Sequence, residues 1–131
     1  MKEIKMEIKA EDLLNMLSKY YSELLNEEVK VESRLDSVWR GYGMDEYQET
    51  VVILSYTIEH KIEGSVLRVK NTLDYEDVKR ALNAILAKLG YTVEDFAFKT
   101  STSGYGRDEM EFFEGIEARV TKKGMEMKLE Q

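Results

Sequence analysis

Apolar residues follow two rhythms along this chain, and the rhythms change in the same order twice. Ile4, Met6 and Ile8 alternate with Lys5, Glu7 and Lys9, which predicts a half-buried strand over residues 2–9. From about Ala10 to Asn26 the apolar positions Leu13, Leu17, Tyr20, Tyr21, Leu24 and Leu25 recur at three and four, the stripe of an amphipathic helix. Glu11 and Asp12 in its first turn suit the positive end of the helix dipole. Period two returns over residues 28–39 through Val29, Val31, Leu35 and Trp39, with Lys30, Glu32, Arg34 and Asp36 facing the other way. Residues 49–62 predict the strongest strand. Val52, Leu54, Tyr56 and Ile58 lie on one face, and Val51 and Ile53 on the other. A strand apolar on both faces is either central and covered twice or covered by a second subunit.

The second half repeats this order. Gly64 turns the chain into a shorter strand carrying Val66, Leu67 and Val69. Asn71 to Asp74 supply a turn that ends in a helix N-cap, with Asp77 three residues on. A helix from about Tyr75 to Leu89 presents Val78, Leu82, Ile85, Leu86 and Leu89, and Gly90 is its expected stop. Residues 91–101 predict a strand with Tyr91, Val93, Phe96 and Phe98, whose change of parity at Glu94-Asp95 implies a bulge. Residues 110–121 predict another, with Met110, Phe112, Ile116, Ala118 and Val120 in phase. Lys122-Lys123-Gly124 then turns into a last strand, Met125 to Leu129.

One hexapeptide ties the halves together. Gly41-Tyr42-Gly43-Met44-Asp45-Glu46 returns as Gly104-Tyr105-Gly106-Arg107-Asp108-Glu109, five residues of six identical at an offset of 63. The helix stripes superpose at an offset of 65: Leu13, Leu17, Tyr20, Tyr21 and Leu24 fall on Val78, Leu82, Ile85, Leu86 and Leu89. Leu35 falls on Phe98, Ile53 on Ile116, and Gly64 on Gly124. One helix on three strands makes a small core for about 60 residues. Two copies back to back, or sharing one sheet, make an ordinary one. The expectation is a single α+β domain of two tandem β-α-β-β(-β) repeats, about 2–63 and 64–131. It has six or seven mostly antiparallel strands, two helices and pseudo-twofold symmetry.

Composition narrows the function more than the fold. The 131 residues carry a net charge of −7, unevenly placed: 8 Lys/Arg against 14 Asp/Glu in residues 1–63, and 11 against 12 in residues 64–131. An acidic first half argues against general nucleic-acid binding, which needs cations to displace phosphate counterions. It suits a protein partner with a basic surface. No cysteine is present, so there is no disulfide framework, thiolate nucleophile or thiolate metal site. No apolar run is long enough to span a membrane. The first residues lack the apolar core of a secretory signal, so the expected location is cytoplasmic.

The candidate chemistry gathers at the paired hexapeptides. Glycines flanking a tyrosine let backbone approach a ligand or take positive φ, and the tyrosine offers a stacking face with a polar tip. Arg40 precedes the first motif and Arg107 lies inside the second, so either loop could hold a phosphate or a base. Asp45-Glu46 and Asp108-Glu109 could offer oxygen ligands, but no metal-binding pattern is present and no cofactor is implied. The pairs Thr100-Ser101 and Thr102-Ser103 are read as strand-end hydroxyls that satisfy turn backbone. His60, the one histidine, has no identifiable nucleophile or orienting partner and is read as a strand residue. Trp39, Tyr42 and Tyr47 bracket the first loop. Phe112 and Phe113 send one ring to each strand face, and with Phe112 in core phase Phe113 is the candidate exposed ring. The candidate site is Trp39, Arg40, Tyr42, Asp45, Glu46, Tyr105, Arg107, Asp108, Glu109 and Phe113.

These features favour a non-catalytic interaction protein that blocks or tethers a protein partner, with homodimerisation as a further expectation. In size and acidity the chain is similar to small proteins of bacteriophages and mobile elements, including inhibitors of bacterial defence nucleases. That likeness covers no motif. The alternative is a small-molecule binder, for a nucleotide or another anion, using the two loops with Arg40 and Arg107.

Overall fold

A computed structural model describes residues 3–123, and the expected last strand at Met125–Leu129 lies outside them. The chain is α+β. In order it forms β1 (Ile4–Lys9), α1 (Ala10–Leu25), β2 (Glu32–Arg40), β3 (Tyr47–Ile62), β4 (Ser65–Leu73), α2 (Tyr75–Leu86), β5 (Tyr91–Ser103) and β6 (Met110–Lys122). The strands make two antiparallel three-stranded sheets, ordered β1-β6-β5 and β2-β3-β4.

The copies therefore stand neither back to back as closed units nor in one shared sheet. Each sheet takes its second and third strands from one copy and its first strand from the other. β1 lies against β6, with Ile8 opposite Ile116 and Ile4 opposite Val120. β4 lies against β3, with Leu73 opposite Leu54 and Val69 opposite Ile58. The two sheets share one order of equivalent strands.

The helix stripes decide the core. Leu13, Leu17 and Tyr21 of α1 and Val78, Ala81, Leu82 and Leu86 of α2 are buried against Val93, Phe96, Ile116, Ala118 and Val120 of β5 and β6, with Leu54 of β3. Positions matched between copies share a fate. Leu13/Val78, Leu17/Leu82 and Tyr21/Leu86 are buried, Tyr20/Ile85 half-buried, and Leu24/Leu89 exposed. The helix ends differ. Asn26 closes α1 in the left-handed region (φ 51), a conformation asparagine tolerates. At the start of α2, Asp74 and Asp77 form a reciprocal capping box, each side chain accepting the other's backbone N–H.

Two boundaries differ from the period-two reading, each for a local reason. β2 begins at Glu32 rather than near 28. Val29 and Val31 are buried, but their N–H groups donate to the hydroxyls of Ser22 (2.9 Å) and Ser18 (2.8 Å) on α1 instead of to a strand. β4 runs on to Leu73, because Asn71, Thr72 and Leu73 continue the ladder to Tyr56, Ser55 and Leu54. The bulge expected in β5 is present, with the register shifting between Val93 and Asp95. A second irregularity follows at Lys99/Thr100, and it has consequences for the site.

Tyr21 joins the two copies. Its ring packs on Tyr56 of β3 at 5.3 Å, and its hydroxyl donates to the carbonyl of Asp77 on α2 at 3.3 Å. Burial, and then the charge of Asp77, push its phenol up to about 12. The folded protein keeps this group neutral, whereas an unfolded tyrosine ionises near pH 10. Its contribution to stability is therefore complete below pH 10 and is lost as pH climbs towards 12. Denaturant titrations across that window should show Tyr21→Phe losing stability less steeply than the parent. Parallel curves would show that the group does not titrate with unfolding.

Candidate functional site

Both hexapeptides are hairpin connections of the same build. The β2–β3 ladder closes at Arg40 opposite Tyr47, and the β5–β6 ladder at Ser103 opposite Met110, so each connection is six residues, shorter than the loops read from sequence. In the first, Asp45 N–H donates to the Tyr42 carbonyl at 3.0 Å and Glu46 N–H to the Gly43 carbonyl at 3.3 Å; Asp108 and Glu109 repeat both bonds at the same lengths. The result is one 3₁₀ turn at each tip. Gly41 (φ 85) and Gly104 (φ 95) turn the chain in the left-handed region, and a Cβ on either would strike the carbonyl oxygen of Asp45 or Asp108. The turn thus accounts for the glycines without any ligand.

The turn does not account for what lies between and beside them. Tyr42 and Tyr105 hold matching extended conformations (φ −134 and −132), and each is 92% exposed. Trp39 is 63% exposed, and Tyr47 and Met44 are also exposed. Burying such side chains contributes most of the energy at protein interfaces. Here the fold leaves them in water.

Phe113 corrects the reading from sequence. It is the inward ring, half-buried and edge-on to Phe98 at 5.7 Å, while Phe112 is 47% exposed. The cause is the irregularity beside Gly115. Lys99 pairs with Gly115 but Thr100 pairs with Phe113, so Glu114 is an extra residue and parity flips. The exposed aromatic and thioether group at the second tip is therefore Tyr105, Phe112 and Met110. Met110, placed in core phase by the alternation, is exposed because the same irregularity resets the parity of β6, and Met44 is exposed within the first turn.

In comparisons with protein families, curated proteins and solved structures, nothing matches this chain.

Its charges divide into engaged and open. Arg40 donates to Glu49 at 2.8 Å across the β2–β3 ladder, so it is already occupied by a carboxylate. Arg107, Asp45, Glu46, Asp108 and Glu109 are exposed and make no ion pair among the described residues. Among those residues no three His, Asp or Glu side chains converge as a metal site. The outer face of the β1-β6-β5 sheet satisfies itself. Lys99 bonds Glu117 at 2.7 Å, which holds the Glu117 carboxyl below its usual range, and Arg119 pairs with Asp95. Thus the tips combine unburied aromatic surface with unpaired carboxylates, while the charged sheet face is internally compensated. No described helix is long and apolar enough to cross a membrane.

Proposed function

We propose that this chain is a non-catalytic acidic protein that binds a protein partner through its hairpin tips and thereby inhibits or tethers it. The observation that carries the reading is the aromatic and methionine surface at both tips, which the fold neither buries nor needs. The net charge of −7 favours a partner with a basic face. The role we assign is inhibition of a bacterial defence or nucleic-acid-handling system, anti-CRISPR-like, as in small acidic proteins of phages and mobile elements. This rests on size and charge.

Affinity capture from host cells with the parent and a Trp39→Ala/Tyr42→Ala/Tyr105→Ala variant tests it. These positions are exposed, so the variant should unfold at the parent's temperature. One captured protein should drop at least tenfold with the variant, since two or three lost anchors of about 2 kcal/mol each exceed a factor of ten. An identical captured set from both proteins would sink the proposal. Capture of an anion by the loops is the second reading. It uses Arg40 in one loop and Arg107 in the other, and the engagement of Arg40 by Glu49 weakens it at the first. A ligand that co-purifies with the parent and is lost from Arg40→Ala/Arg107→Ala would revive it.

A further inference from the structure

The β3–β4 hairpin carries a second surface, separate from the tips. β4 is an edge strand. Its turn, Glu63 (φ 50) and Gly64 (φ 81), has positive φ at both central residues, the two-residue type I′ connection. Ile62 and Ser65 are then the closing hydrogen-bonded pair. By alternation the backbone of Ser65, Leu67 and Val69 bonds β3, while the N–H and C=O groups of Val66, Arg68 and Lys70 point outward with no strand beside them among the described residues.

The side chains of this edge are sorted. Ile58, Ile62, Leu67 and Val69 share one face around His60, and all but Ile58 are about half exposed. The other face holds Arg68, which bonds Glu59 of β3 at 2.9 Å, and Lys70, which makes no ion pair among the described residues. β4 alone among the described strands carries charge of a single sign, two cations in a chain of net −7. Its ladder with β3 is unbroken by bulges, unlike β5–β6. Edges are normally blunted by bulges, proline or charge, and only the charge is present here. A second copy paired antiparallel about Arg68 or Val69 would set cation against cation, which is unfavourable.

We propose that the outer edge of β4 takes up an extended segment of a partner protein whose side chains alternate apolar and acidic. The segment adds as a fourth strand to the β2-β3-β4 sheet. Its backbone meets the outward groups of Val66, Arg68 and Lys70, its apolar side chains extend the Leu67–Val69 face, and its carboxylates lie beside Arg68 and Lys70.

A blocked, fluorescent seven-residue peptide alternating glutamate and valine is the probe. It should bind saturably and slow hydrogen exchange at the amides of Val66, Arg68 and Lys70. Arg68→Glu/Lys70→Glu should bind it at least tenfold more weakly and should instead take a lysine–valine peptide, which also reports that the variant is folded. Lys70→Glu alone, at a position with no ion pair among the described residues, should give an intermediate loss. No saturable binding by the parent, or equal affinity of parent and variants for both peptides, would overturn the proposal. So would protection of the same amides in a peptide-free dimer, which would make the occupant a second copy.

Discussion

Replacing Gly115 with alanine should destabilise the protein by about 2–5 kcal/mol, combining backbone strain with overpacking. Gly115 stands opposite Lys9 at the point where β1 passes into α1, with φ 149, a conformation that L side chains rarely adopt. A Cβ there would strike the carbonyl oxygen of Ile8 and come within 3.0 Å of the Ala10 nitrogen and the Lys9 Cα. All three are backbone, held by the β1–β6 ladder on one side and the first turn of α1 on the other, so none can yield as a side-chain tip would. Gly106→Ala is the matched control. Its φ is also positive (58), but a Cβ would meet nothing within 4 Å, so only the conformational cost of about 1 kcal/mol applies. Guanidinium titrations of both variants measure the difference. Equal losses would mean that the β1–α1 junction moves freely away from β6.

Cutting the chain between its copies should abolish folding of either part alone. Residues 1–63 keep β1, α1, β2 and β3 but lose β6, the partner of β1, and β4, the partner of β3. Residues 64–131 lose β1 from one edge of β6 in the same way. Leu13 and Leu17 would also lose the β6 residues Ile116, Ala118 and Val120 that complete their core. An isolated copy should show little native helix by circular dichroism as a monomer, and mixing the two should restore it with second-order kinetics. Because each copy holds both halves of the exchange, structure regained by one copy alone should require a second chain and depend on concentration. A cooperative melting transition in either monomeric half would contradict the exchanged-strand arrangement.

The elements were legible in the sequence because burial on one face leaves a period. The helix stripes marked the positions buried in both copies except at the helix ends, where Leu24 and Leu89 lie on the stripe yet are exposed. The hexapeptide glycines were legible as residues free to take positive φ, which all four do. Where a side chain or a register competes with the periodic pattern, the sequence misleads. Val29 and Val31 look like strand, yet the serines of α1 take their N–H groups. Phe112 and Phe113 exchange roles because one unpaired residue, Glu114, resets the parity of β6. Neither effect has a periodic trace, since each depends on a specific partner on a neighbouring element.

By itself the sequence determined the class of fold, the recurrence of the helix stripe and hexapeptide in the two halves, and the position of the two Gly-Tyr-Gly turns. All of these follow from local preferences and from the spacing of apolar residues. Only the tertiary structure decided which strands pair across the copies, which aromatic ring at the second tip faces water, that Arg40 is held by Glu49, and that β4 is left as a cationic edge. Those outcomes depend on backbone pairing and on contacts between elements, where alternatives with the same hydrophobic pattern differ in register and packing.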